Sequence, residues 1–266
     1  MKMQDDPRMI DARVGGGWLT AGFRLFHRHP LGWTMILFMY WASMLMLAFI
    51  PLFGMVLPLL LAPGLSFGFL EIAKAVDEKR PPSPPLLISG FRSTQAKGVI
   101  TLGSFYLLEI LTIMLVTYLI DGGLLLQWIT AGALPEESQM GLTRITALIA
   151  VLLYVPVMMS FWFAPQLVVW KNFAPLKALF YSFFAVWRNR SAFLRYLLTW
   201  IGLVVFVAAA AALLNQALEV STNAMSAFLF PVTLIMMAVA HGSFYQSTKD
   251  IFGEVEGERL NNTETL

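Results

Sequence analysis

Two ionisable side chains, Glu109 and His241, lie inside apolar stretches of the sequence and are the residues best placed to do chemistry. Glu109 follows Gly98 by eleven residues, near the middle of the apolar stretch 98–120. A carboxyl group at that depth is costly in hydrocarbon, so such residues mark proton, cation or ligand sites. The alternative is a neutral Glu109 that hydrogen-bonds a neighbouring helix and fixes packing. His241 either relays protons with Glu109 or is simply hydrogen-bonded.

Seven basic residues, interleaved with aromatic residues between the apolar stretches, form a candidate rim for anionic lipid or partner proteins. They are Arg24, Arg28, Arg92, Lys177, Arg188, Arg190 and Arg195. A Lys or Arg near an anionic membrane surface contributes about 1 kcal/mol of attraction. The alternative is that these cations only set the topology. The sequence has no compact basic run, so nucleic acid is not an expected partner.

The sequence offers no motif for an enzyme or a cofactor. It has 0 cysteines and 3 histidines, which excludes thiolate metal sites and cysteine nucleophiles and makes a structural metal site unexpected. It contains no GxSxG, P-loop or GxGxxG pattern, and no strand is expected before Gly15-Gly-Gly17. We therefore expect no catalytic residue, no metal and no cofactor, and a protein that is not an enzyme.

The composition indicates the elements that must position these residues. Of the residues, 58% are hydrophobic and 13% are charged, whereas about 25% of a soluble domain is charged. This predicts an all-α membrane protein with six transmembrane helices, because about 20 apolar residues cross the hydrocarbon core. The expected spans are residues 31–50, 55–72, 98–120, 142–169, 192–214 and 225–245. They form a domain, 18–248, between a polar lead-in, 1–17, and a polar tail, 249–266.

The stretch from Pro175 to Arg195 has the pattern of a helix that lies on the membrane surface and leads into a span. Its apolar positions recur at helical spacing on one face: Leu176, Leu179, Phe180, Phe183, Phe184 and Trp187. Weaker copies, Trp18–Arg28 and Leu86–Lys97, precede the first and third spans. We therefore expect three hairpins, each preceded by an amphipathic interfacial helix. The alternative is that the similarity among these three segments arises in part because any membrane hairpin has basic residues at its flanks.

The basic residues also predict the orientation of the chain. In a six-span arrangement, seventeen of the 18 Lys and Arg residues fall on one side, and Arg144 alone falls on the other. Basic connections stay in the cytoplasm, so we expect both termini to be cytoplasmic.

Several segments resemble a known group of proteins. They are Gly17-Trp18-Leu19, Gly22-Phe23-Arg24-Leu25-Phe26 with Pro30, and the segment from Pro175-Leu176 through Arg188-Asn189. With them, the chain resembles an uncharacterised family of bacterial six-span integral membrane proteins, loosely similar to the membrane-anchor module of some glycerophosphodiester phosphodiesterases. The resemblance implies a location in the bacterial inner membrane. It carries no catalytic motif, and the acidic catalytic domain of the phosphodiesterases has no counterpart in this sequence.

Two functions are compatible with the sequence. The first is a non-enzymatic scaffold or accessory factor that engages anionic membrane lipids, and a membrane-protein partner or a second copy, through the basic rim. The alternative is a small transporter or channel that uses Glu109 and even-numbered spans kinked at Pro58, Pro156 and Pro231. A transporter normally buries several polar groups along one path, and this sequence has few in its spans, which favours the scaffold.

Overall fold

The computed structural model describes residues 6–51, 53–218 and 222–253, and within these segments the chain is helical and contains no strand. The described segments contain one short 3-10 helix and eleven α-helices. They are α1 (Ala12–Arg28), α2 (Pro30–Ala48), α3 (Phe53–Asp77), the 3-10 helix (Pro84–Ile88), α4 (Ser89–Arg92), α5 (Ala96–Asp121), α6 (Leu124–Ala131), α7 (Glu137–Phe161), α8 (Ala164–Lys171), α9 (Pro175–Arg188), α10 (Arg190–Leu218) and α11 (Thr222–Phe252). The predicted all-α fold is confirmed.

Among the described residues, six helical segments are long and apolar enough to cross a membrane, as predicted: α2, α3, α5, α7 continued by α8, α10 and α11. The fourth span was expected over 142–169 with breaks at Pro156 and Pro165. It breaks between Phe161 and Ala164, where Pro165 stands in the first turn of α8, whereas Pro156 lies inside α7. Proline is tolerated in a first turn because the N–H that it lacks has no partner inside the helix there.

The two ends of the described chain meet, and both continue the helical fold further than the sequence predicted. The polar lead-in was expected to reach residue 17, but α1 begins at Ala12, where the Asp11 carboxylate accepts a hydrogen bond from the Arg13 N–H at 2.7 Å. The polar tail was expected from residue 249, but α11 continues to Phe252, which is buried. The Arg8 N–H donates to the Ile251 carbonyl at 2.8 Å. Residues 1–5 and 254–266 lie outside the described residues.

Helix α1 packs into the protein as a central element. Its buried face contacts α10 and α11, which pack chiefly on α1 and meet each other where the hydroxyls of Tyr196 and Ser243 lie 2.5 Å apart. Gly15 touches the backbone of Ala192 in α10, and Gly22 touches the backbone of α11 near Gly242. Helix axes come this close only where residues without large side chains stand at the crossing.

The buried core lies at one end of the bundle, which we call the basic end. It comprises α1, the 3-10 helix, α4, α8 and α9, the last turns of α3 and α11 and the first turns of α2, α5 and α10. Two apolar clusters fill it. Their largest fully buried members include Trp18, Phe163, Leu167 and Phe252 in one, and Trp33, Phe69, Leu70 and Ile72 in the other.

Away from the basic end, the spans expose large apolar side chains. In α10 none of the residues of its most apolar window is buried, and Leu198, Val205 and Phe206 point outward. Exposure of this kind would be unfavourable in water but suits a hydrocarbon surrounding, where helix surfaces need not be polar.

The crossing of α1 and α11 gives a testable prediction. A Cβ at Gly22 would press on the backbone at Val239, so Gly22→Ala should lower the free energy of unfolding by about 1–3 kcal/mol. Gly17, on the same helix, has nothing near its Cβ position, and Gly17→Ala should raise it by up to about 1 kcal/mol through helix propensity. Thermal unfolding of the two variants in detergent checks this prediction. Melting temperatures that shift in the same direction for both variants would contradict the close crossing.

Candidate functional site

The exposed face of α9 is the most distinctive surface of the basic end. Leu176, Phe180, Phe184 and Trp187 are all exposed, with Trp187 at 52% and Phe180 at 60%, and Phe183 is partly exposed beside them. Their rings contact one another, with the Phe180 and Phe184 centroids 4.6 Å apart and Phe183 stacked on Trp187 at 6.3 Å. We refer to these five residues as the exposed face of α9.

Small residues hold the other side of α9 against the protein. Ala178, Ser182 and Ala185 are fully buried. Ser182 is the polar residue among these three. Its hydroxyl accepts a hydrogen bond from the Phe163 N–H at 2.8 Å and donates to the Met159 carbonyl at 2.8 Å. Ser182 therefore satisfies backbone groups freed at the break between α7 and α8, and it fixes α9 at that point.

Two cations lie over aromatic rings on and beside α9. The Lys177 ammonium lies 3.9 Å from the centre of the Phe173 ring and 5.3 Å from that of Tyr181, and Arg190 lies 5.9 Å from that of Trp187. Such pairs gain about 0.5–1 kcal/mol each when exposed, and they keep the cation beside the ring.

The seven basic residues of the candidate rim are all exposed and all belong to elements of the basic end. Lys177, Arg188, Arg190 and Arg195 lie on or directly after α9. Arg24 and Arg28 lie on α1, and Arg92 ends α4. Arg28 is paired with Asp77, with Nη1 and Oδ1 3.3 Å apart, so its charge is already partly compensated. The side chains around α9 are therefore the concentrated part of this rim.

A polar network that the sequence analysis missed joins the helices of the basic end. Asp77, at the end of α3, accepts from Lys249 at 2.7 Å and from the Tyr245 hydroxyl at 3.3 Å, both in α11. Trp18 in α1 donates to Asp250 at 2.8 Å. In the sequence, the only indication of these contacts was that Asp77 and Asp250 follow predicted spans. The partners of the two carboxylates are distant in sequence.

Asn189 is a second contact that sequence reasoning missed. It is 1% exposed and stands between α9 and α10. Its side chain accepts from the Ile10 N–H at 2.9 Å and donates to the Arg8 and Ala185 carbonyls at 3.0 and 2.9 Å. It therefore ties the segment before α1 to the end of α9.

The two candidate intramembrane residues lie in different surroundings. Glu109 is on α5, and its Oε2 atom is buried and has no hydrogen-bond partner among the described residues. His241 is on α11, stacked on the Phe69 ring with centroids 4.0 Å apart, and its buried Nδ1 likewise has no partner there. No hydrogen bond or ring contact in the described chain joins the two residues, so the structure does not bring together the proposed relay pair.

A cavity of about 320 Å³ lies between α3, α5, α7 and α11. The hydroxyls of Tyr106 and Tyr154, which line it, are 3.3 Å apart. Glu109 stands one helical turn beyond Tyr106 on α5. In the part of the chain that the structure describes, no group of three or more His, Asp or Glu residues could hold a metal ion.

Comparison with known proteins places the chain in a family. It is 36% identical over 263 residues to a protein of Burkholderia thailandensis described as a probable inner membrane protein. The match covers 96% of this chain and 97% of that protein. This chain belongs to the same family. No protein-family model and no solved structure matches it. With its six apolar helices, this relationship supports a multi-pass protein of the bacterial inner membrane.

The anchoring of α9 in this inner membrane protein can be tested at Ser182. Ser182→Ala leaves the buried Phe163 N–H without an acceptor and should lower the free energy of unfolding by about 1–3 kcal/mol. Ser191→Ala, at an exposed position in the first turn of α10, is the matched control and should change it little. Unfolding in detergent by heat or denaturant measures both variants. Equal effects would show that the Ser182 hydroxyl does not hold α9 in place.

Proposed function

We propose that the protein is a non-enzymatic scaffold or accessory factor of the inner membrane, which engages anionic lipid and partner proteins at its basic end. The observation that carries the proposal is the exposed face of α9. It presents Phe180, Phe184 and Trp187 to the surroundings directly beside Lys177 and Arg188. A helix with this arrangement is suited to the membrane–water boundary, where rings enter the acyl region and cations meet headgroups.

The way in which α9 is held supports a binding role. Its inner side is fixed by Ser182 and Asn189, so its outer side is rigid before anything binds. A preformed surface loses less conformational entropy on binding than a flexible one. The aromatic side chains also have few rotatable bonds, which lowers this cost further. Lipid headgroups or a second protein would therefore meet an ordered surface.

The proposal includes an orientation. The described basic residues other than Arg144 belong to elements of the basic end or to the segments beside them. The retention of positively charged connections in the cytoplasm supports a basic end, and both termini, on the cytoplasmic side. A scaffold role is also in keeping with the loose likeness to a membrane-anchor module, which stays a prediction.

Charge removal around α9 tests the lipid part of the proposal. We expect Arg188→Gln, Arg190→Gln and Arg195→Gln together to reduce the preference of the protein for phosphatidylglycerol over phosphatidylcholine. Each basic residue near an anionic surface contributes about 1 kcal/mol, so the combined loss is up to about 3 kcal/mol. Electron spin resonance of spin-labelled lipids around the reconstituted protein measures this preference.

The matched control keeps the charges at the same positions. A triple variant with lysine at 188, 190 and 195 should retain the phosphatidylglycerol preference, and raised salt should weaken it in the wild type. If the glutamine variant keeps the full preference, the cations beside α9 do not engage anionic lipid. If the lysine variant loses as much as the glutamine variant, the effect comes from arginine geometry or folding and not from charge.

The alternative function, a small transporter, is favoured by one observation: the buried Oε2 of Glu109 has no partner among the described residues, one helical turn from Tyr106, which lines the cavity. A carboxyl group that carries protons should be essential, whereas one that only packs should tolerate replacement by an amide of the same shape. In proteoliposomes with an imposed pH gradient and a pH-sensitive dye inside, a transporter would dissipate the gradient and Glu109→Gln would stop it. The scaffold proposal predicts that both proteins leave the gradient intact.

A further inference from the structure

The cavity between α3, α5, α7 and α11 differs from the lipid-facing surfaces in that its walls combine aromatic rings with hydroxyl groups. Its volume, about 320 Å³, lies at the lower end of the range of about 300–1,000 Å³ found for small-molecule sites. Aromatic side chains dominate its walls, including Phe161, Trp162 and Phe244. Met158 also lines it and is 42% exposed, so the cavity reaches the outer surface of the bundle at the level of the spans.

Hydrogen-bond accounting leaves a donor available in this cavity. Tyr106 and Tyr154 each carry one O–H hydrogen, and one of the two hydrogens is used in the contact between their hydroxyls. Neither phenol has another hydrogen-bond partner among the described residues. The second hydrogen therefore lacks an acceptor among the described residues. Ser66 on α3 adds another hydroxyl to the lining.

The chemistry of the walls restricts the ligand. Among the described residues, no Lys, Arg, Asp or Glu lines the cavity, so an ionic group would lose its hydration without a counter-charge there. Flat aromatic walls favour a flat ring, since offset and edge-to-face ring contacts are worth about 0.5–1.5 kcal/mol beyond area burial. A free phenol hydrogen favours a carbonyl oxygen on that ring. A mouth at the level of the spans admits a molecule that is dissolved in the membrane.

We propose that this cavity binds the headgroup of a membrane-dissolved quinone, a planar uncharged ring with carbonyl acceptors, between Trp162 and the Tyr106–Tyr154 pair. The ring packs against the aromatic walls, and one carbonyl accepts the unused hydrogen of the phenol pair. The Ser66 hydroxyl faces the second carbonyl from α3. An apolar tail leaves the cavity past Met158 into the hydrocarbon. The proposal concerns binding alone and is independent of the scaffold role.

The phenol pair provides a specific test, because either hydroxyl alone can still donate to the ligand. We expect Tyr106→Phe and Tyr154→Phe, taken singly, to bind ubiquinone-1 nearly as well as the wild type. The double variant has no phenol donor and should bind about five- to tenfold more weakly, the equivalent of one neutral hydrogen bond. Equilibrium dialysis of radiolabelled ubiquinone-1 against the full-length protein in detergent micelles, with empty micelles as the blank, gives each affinity.

Two further variants separate the cavity from the rest of the surface. Ala62→Phe places a ring in the cavity and should abolish saturable binding, whereas Val151→Phe, at an exposed position of α7, should not alter it. The helical circular dichroism and the melting temperature of each variant show whether it is folded. Wild-type affinity for the double phenol variant or for Ala62→Phe would overturn the proposal.

Competition with decanol distinguishes a site that selects a ring from a site that accepts any apolar hydrocarbon chain. Decanol carries an apolar chain and a hydroxyl but no ring and no carbonyl group, and it should fail to displace ubiquinone-1 at equal concentration. Displacement by decanol would show that the cavity accepts lipid chains without selecting a ring, and would overturn the proposal. Uptake that only rises in proportion to the quinone concentration would show partition into the micelle, and would overturn it equally.

Discussion

The structure depends on the passage of α1 between α10 and α11 at backbone contact distance. Gly15 and Gly22 are buried on one face of α1, and they let its backbone touch α10 and α11. Because α10 and α11 pack chiefly on α1, the third hairpin is held together by the first helix of the chain. The Asn189 side chain and the contact between Arg8 and Ile251 also hold this junction, because they bind the segment before α1 to the end of α9 and to α11. Because α9 ends at this junction, the packing of α1 also sets the orientation of α9.

The two solvents around the protein explain where its core lies. Water drives apolar side chains together, but hydrocarbon does not, so tight burial is needed only where helices leave the membrane. The two apolar clusters accordingly occupy the basic end, and the middle of α10 contributes nothing to them. The basic end is thus both the most tightly packed part and the one with the most charges. A surface for lipids or partners built there is rigid, whereas the spans beyond it are free to meet lipid or another protein.

The sequence predicted the exposed aromatic side chains of α9, but its account of the rest of that helix was incomplete. Helical spacing correctly grouped Phe180, Phe184 and Trp187. It could not show that the small residues beside them face the protein, since alanine and serine fit a lipid, water or protein contact equally well. Ser182 is such a residue, and helical spacing alone does not show that it is buried. Its partners, the Phe163 N–H and the Met159 carbonyl, exist only because α7 breaks before α8.

The number of spans, the all-helical fold and the crowding of cations toward one end were determined by the sequence alone, because they depend on run length, hydropathy and charge, which are local properties. Only the tertiary structure decided which helices touch. The close crossing at Gly22, the Asp77–Lys249 pair and the meeting of Tyr106 with Tyr154 join residues distant in sequence. Such contacts depend on how rigid helices pack in three dimensions, and apolar periodicity alone does not specify the packing partner of each face.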